Sequence, residues 1–416
     1  MNLVLWHGYL LSGTGSNIYT QHVARAWDRL GHGVRVICQE PHPERFDLGR
    51  NVRILRPDIG PLLPVFVLDR YEGVEARRVG DMTAAERARY LEASERGLAG
   101  TLAAEPADLV LANHAIMGGP VAAAGCAATG TPYAVKLHGS ELEYAIRGEA
   151  RLAALAREPL DGAAAVYAGS RHIVEVTREL LGAGPYLERT AIVPPGVDVD
   201  AFHPGGGSRE RLDALLRADR PGAHAERHPD PGAADRLAAV GDFVLFVGKL
   251  LEQKGVHLLL EAWRELAPRY PELSLVVVGF GSDRDWLERL AGDRVVFTGA
   301  MDHAQLQALM PLAEALVVPS VLPEAFGMVA AEAASCGVVP VVANHSGLAE
   351  VAAGLGDAAR VFDGGSQELA AAIAEVLNLP PAERRAAGGR GRARVLERWS
   401  WERIAEQLLE GALGSG

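Results

Sequence analysis

Short apolar runs, each leading through a loop, most often glycine-bearing, into a helical pattern, recur along this chain in two series. The first series has runs at 3–6, 34–37, 109–111, 133–137, 165–167 and 191–193. The second has them at 243–247, 274–278, 295–297, 315–318, 339–342 and 360–362. Runs that are largely apolar, with few polar residues such as Arg35, Lys136, Ser274 and Arg360, suit buried strands. Strand, glycine loop, helix and strand then make a βαβ unit of Rossmann type. Between the series, residues 204–242 carry Gly205-Gly-Gly207, Pro221-Gly222 and Pro229-Asp-Pro-Gly232, the composition of a loop or insertion around one short helix, Arg209 to Leu216. At 416 residues the chain is too long for one ordinary domain. The expected architecture is therefore α/β, with two doubly wound Rossmann-like domains facing each other across a cleft. Their limits are expected at 1–198 and 199–394, with a C-terminal helix at 395–416 packing back on the first domain.

Charge narrows the partners. The formal net charge of −12 argues against a broad nucleic-acid footprint. Residues 71–105 hold seven acids against five arginines, so the helical stretch at 82–104 offers no basic face to a lipid surface. Cys38, Cys126 and Cys336 are far apart and set in apolar surroundings, which reads as three core residues in a reducing compartment. His203, His224 and His228 lack a fourth ligand at metal spacing, so no metal site is expected. The N-terminal Met-Asn-Leu-Val-Leu-Trp has no basic leader and reads as a first strand, and a cytoplasmic protein is expected.

Several loops carry chemistry. Gly13-Thr14-Gly15 follows the first strand and opens a helix, where backbone N–H groups suit an anion. Lys249 and Lys254 sit on a strand-to-helix loop between Gly248 and Gly255, where a core has no use for ammonium groups. Two such cations can neutralise a diphosphate leaving group without a divalent metal. Glu324 and Glu332 flank the junction between the apolar run at 315–318 and an Ala-rich helical segment, and buried carboxylates there are costly unless they bind something. On one continuous helix, eight residues would leave them about 80° apart and two turns displaced, so they need not act as an acid–base pair. Glu324 then faces a reacting group while Glu332 holds another part of the ligand, for which the vicinal hydroxyls of a ribose are suited.

These motifs occur in the order Gly248-Lys-Leu-x3-Lys-Gly, Gly279-x-Gly, Phe297-x-Gly, Pro319-Ser, Glu324-Ala-Phe-Gly and Glu332. As a set they resemble the retaining glycosyltransferases of family 4, which have the GT-B fold. Val193-Pro-Pro-Gly-Val-Asp198-x3-Phe202-x-Pro204 looks like that family's interdomain signature, and His138-Gly-Ser140 like its N-domain histidine loop. Two positions depart from the family's pattern: Lys249 stands where arginine is usual, and Pro194 where asparagine is common.

The resemblance implies a hexosyltransferase that moves a sugar from a nucleoside diphosphate sugar, UDP before GDP, to a hydroxyl acceptor with retention. It implies that Glu332 binds the donor ribose, Glu324 faces the sugar, and Lys249 and Lys254 hold the diphosphate. Backbone amides at Ala325, Phe326, Gly327 and Met328 would add contacts, Gly15 would lie near the phosphates, and His138 would approach the C6 side of the sugar. Catalytic roles fall to His138, Lys254 and Glu324. Gly13, Thr14, His114 and Glu141 are expected on the acceptor side. Neither a metal nor another cofactor is expected. The alternatives on the same fold are a nucleotide-sugar epimerase or hydrolase, and a non-catalytic nucleotide-sugar binder.

Overall fold

The structure is a computed structural model that describes residues 1–11, 15–66, 75–218 and 228–414. The chain divides into two units, one formed by Met1–Gly196 with Trp401–Gly416 and the other by Val197–Ser400.

In the first unit the apolar runs become β1 (Asn2–Trp6), β2 (Gly33–Ile37), β3 (Val52–Leu55), β6 (Leu109–Asn113), β7 (Tyr133–Lys136), β8 (Ala165–Ala168) and β9 (Thr190–Ile192), while β4 (Leu62–Val65) and β5 (Glu75–Arg78) pair separately. Among the described residues the main sheet runs β3-β2-β1-β6-β7-β8-β9, all parallel. Its period-2 alternation sorts the core into two layers. Leu3, Leu5, Val34, Val36, Leu109 and Leu111 face one layer with Val23 and Trp27 of helix Gly15–Arg29. Val4, Trp6, Ile37, Val110 and Ala112 face the other, with Leu98 and Leu102 of helix Ala84–Ala104. That helix begins at a capping box in which Thr83 and Glu86 satisfy each other's backbone N–H.

Helix Trp401–Leu413 completes the first layer through Trp401, Ile404, Ala405 and Leu408. Trp27 Nε1 donates to Ala405 O (3.0 Å) and Tyr167 Oη to Leu408 O (2.6 Å). The expected single helix over 395–416 is corrected here. Residues 395–399 end helix Pro381–Trp399 of the second unit, and Ser400, with φ −63° and ψ 147°, breaks the helical path before Trp401.

The second unit has β10 (Asp242–Val247), β11 (Leu273–Val278), β12 (Val295–Phe297), β13 (Ala315–Val318), β14 (Pro340–Ala343) and β15 (Arg360–Phe362). Among the described residues they form one parallel sheet in the order β12-β11-β10-β13-β14-β15. Strand order reverses between β1 and β6 in the first unit and between β10 and β13 in the second. In open α/β sheets, ligands bind in the crevice outside the carboxyl ends of the strands at such a switch point.

Candidate active site

The loops leaving β10 and β13 lie at the second unit's switch point, and they carry the lysines and Glu324. Gly255 lets them close on each other: its φ is +68°, and a Cβ there would stand 1.8 Å from Pro319 O. Gln253 O accepts from Val321 N at 3.0 Å and ties the second loop to the first. In this arrangement Lys254 Nζ forms an ion pair with Glu324 Oε1, and Ser320 Oγ donates to the same oxygen at 2.6 Å. The two residues therefore act as one unit. Lys249 is exposed and forms no ion pair among the described residues.

Glu324 does not cap the following helix. Its backbone N donates to Ser346 Oγ (2.9 Å) and its carbonyl accepts from Gly347 N (3.0 Å), which fixes the loop against helix Ser346–Leu355. His345, bonded to Ser320 O (2.8 Å) and to Ser346 Oγ (3.1 Å), braces the same loop. Ala325, Phe326 and Gly327 then lead into helix Met328–Ser335, whose first amides lack intrahelical partners. Gly327 takes φ +116°, and Phe326 is buried edge-on to Trp399, which turns the chain into that helix.

Glu332 lies in the second turn of the helix and is buried, with 7% of its surface exposed. Burial, and then the nearby Asp198 carboxylate, push its pKa up to about 8. Asp198 reaches this place because Arg392 fastens its loop to the helix, donating to Val199 O (3.2 Å), Phe202 O (3.1 Å) and Ser335 O (2.8 Å). Glu324 and Glu332 occupy separate positions, one at the loop and one inside the helix.

The first unit's switch point is polar and tightly bonded. His7 follows β1, Asn113 ends β6, and His138 follows β7 by two residues. Asn113 Oδ1 contacts His138 Nε2 at 2.6 Å, while its Nδ2 meets Thr20 Oγ1 (3.0 Å) and His7 Nδ1 (3.2 Å). Glu141 accepts from His138 N (3.0 Å) through one oxygen and pairs with His114 Nδ1 (3.2 Å) through the other. Its pKa is lowered: burial opposes the shift, and the His114 charge and these hydrogen bonds overcome it. Burial, followed by His114, Lys136 and His7, drives the pKa of His138 well below the ordinary histidine value. His114 and Met117 hold positive φ, 72° and 64°, a backbone strain of the kind that collects at functional sites.

Glu141 has no exposed surface and His114 has 2%. They shape the His138 loop from beneath. Gly13 and Thr14 lie outside the described residues, as does His224, and Gly15 opens helix Gly15–Arg29 in an exposed position. Beyond the Pro319-Ser320 motif, sequence reasoning missed His345, Ser346, Arg392, His7, Thr20 and Asn113. His7 and Asn113 had a usable signal, as polar residues closing apolar strands beside the switch point. Arg392 had none, since it is one of several arginines on an Ala- and Gly-rich helix.

The fold and these sites can be set beside known proteins. Residues 14–196 match the family described as "Glycosyl transferase 4-like domain", and residues 237–394 match "Glycosyl transferases group 1". A glycogen synthase of Mycobacterium tuberculosis is 36% identical over 190 residues, covering 44% of this chain and 42% of that protein, so the match spans less than half of the relative. A D-inositol 3-phosphate glycosyltransferase of Xylanimonas cellulosilytica is 28% identical over 95% of this chain and 90% of its own length. Among solved structures, Anabaena HepE in complex with UDP and glucose matches with a TM-score of 0.65 and 19% identity, covering 98% of each chain, a likeness of fold.

Proposed function

We propose, from the premise that this chain belongs to the family 4 glycosyltransferases of GT-B fold, that it transfers a hexose from a nucleoside diphosphate sugar to a hydroxyl acceptor with retention at the anomeric carbon. The observation that carries this reading is the grouping of the Lys254–Glu324 pair and the buried Glu332 around the switch point of a single unit. Glu332 takes the ribose hydroxyls. Lys249 and Lys254 neutralise the diphosphate, helped by the first amides of helix Met328–Ser335, and Glu324 faces the sugar. His138 contacts a hydroxyl of the substrate. The leaving phosphate itself receives the acceptor proton, so no protein nucleophile enters the scheme. UDP is the favoured nucleotide, the one bound by Anabaena HepE, with GDP second.

Because two lysines supply the positive charge, turnover is expected to persist in EDTA. A thermal-shift screen of UDP, GDP, ADP and their sugars identifies the donor, since a ligand that binds only the folded state raises Tm. Donor consumption with proton NMR of the product anomer then tests the reaction. An axial donor yielding an axial product supports retention, and an inverted product overturns it. Free sugar released at the same rate with or without acceptor would point to a hydrolase.

A further inference from the structure

Two carbonyl groups at the first unit's switch point decide where the protons of its polar network lie. Thr20 Oγ1 lies 2.8 Å from Ser16 O, which can only accept, so the hydroxyl hydrogen goes there. The hydroxyl oxygen must therefore accept from Asn113, and the Asn113 atom facing it is the amide nitrogen. His7 gives the same answer independently. Its Nε2 faces Leu10 O (3.0 Å), another pure acceptor, and so carries the proton. Burial pushes the His7 pKa down to about 3, so the ring is neutral and its Nδ1 accepts from the Asn113 amide. With both amide contacts assigned, Asn113 Oδ1 is left facing His138 Nε2, which must donate.

We propose that Asn113, oriented by Thr20 and His7, is a positioning residue that fixes His138 as the neutral Nε2–H tautomer, so that His138 Nδ1 accepts a hydrogen bond from a hydroxyl of the bound substrate. Nδ1 has no hydrogen-bond partner among the described residues. The groups around the ring favour the neutral form. His7 and Asn113 come from the ends of β1 and β6, and His114 lies 4.6 Å away ring to ring. Lys136 comes from β7, and Tyr19 packs edge-on at 5.1 Å from helix Gly15–Arg29. Glu141, the carboxylate close by, is engaged with His114 and with the His138 backbone. That the substrate is a sugar rests on the reading given above; the tautomer does not.

The test has two arms on the full chain. In the first, the protein is labelled with 15N-histidine and its ring nitrogens are read by long-range 15N–1H correlation, with the His138 signals assigned by their loss in His138→Gln. Protonated Nε2 and bare Nδ1 are expected, with both tautomers present in Asn113→Ala. A protonated Nδ1 in the unaltered protein overturns the proposal, whatever reaction the protein catalyses. In the second arm, Asn113→Asp places a carboxylate against Nε2 and raises the His138 pKa, so Nδ1 gains a proton and can no longer accept. The variant should acquire an acid limb that the unaltered enzyme lacks, losing about tenfold in turnover per pH unit below the new pKa. A parallel loss at every pH, as a purely structural defect would give, overturns it.

Discussion

At the level of single residues, the site divides into groups that meet a ligand and groups that hold them. The proposed function puts Lys254 and Glu324 in the first kind, and because they are paired, removing either strands the other. Lys254→Ala is expected to lower kcat/KM by about 10² to 10³, the usual cost of deleting one charge-stabilising group. The measurement is steady-state transfer beside an unchanged circular dichroism spectrum, and near-normal turnover would remove Lys254 from the machinery. Glu332 gives a prediction about pH. Its folded pKa of about 8 exceeds the ordinary 4.5, so between those values the folded protein holds a proton that the unfolded chain has released. Its contribution to stability is present in full at low pH and fades as pH rises towards 8. Denaturant unfolding across that window should therefore show a downward slope that Glu332→Gln flattens. The roles proposed for Glu324 and Glu332 could be read from residue type and spacing. Those of Asn113, Thr20 and His7 could not, because hydrogen-bond direction depends on which carbonyls a fold brings near.

Among elements, what was legible depended on burial. Runs such as 243–247 and 275–278 are apolar throughout because neighbours cover both faces, and they stand out in any window. β3 did not, since Val52-Arg-Ile-Leu55 lies at the sheet edge with each residue partly exposed. β4 and β5 were missed for a similar reason: one contains Pro64 and the other Arg77-Arg78, which argue against a strand until their separate pairing is known. The meeting of the β10 and β13 loops also had only a weak signal, a glycine between a lysine and a helix. Gly255→Ala should be severe, because its Cβ would overlap Pro319 O and its φ is positive. A loss of more than about 2 kcal/mol is expected from these mechanisms together. Chemical denaturation measures the stability, and donor binding in the folded fraction should weaken as well.

For the molecule as a whole, the chain crosses twice between its units, at Gly196–Val197 and at Ser400–Trp401. Sequence patterning indicated two α/β units but misplaced the second crossing, because Trp399-Ser-Trp401 continues an amphipathic pattern through a backbone break. A chain ending at Ser400 would lose Trp401, Ile404 and Leu408 from the first unit's core. Burying each such side chain stabilises by about 1.5–3 kcal/mol, so the sum rivals the whole stability of an ordinary domain. Calorimetry of that truncated chain should show the second unit's transition alone, and two intact transitions would refute the expectation. The return of the last helix also sets an order of events at the ribosome. Met1–Gly196 is made first, yet it lacks Trp401, Ile404 and Leu408 until all of Val197–Ser400 has been translated. The half translated first therefore cannot finish folding ahead of the half translated second, and its unclosed core stays open to chaperones over that whole interval.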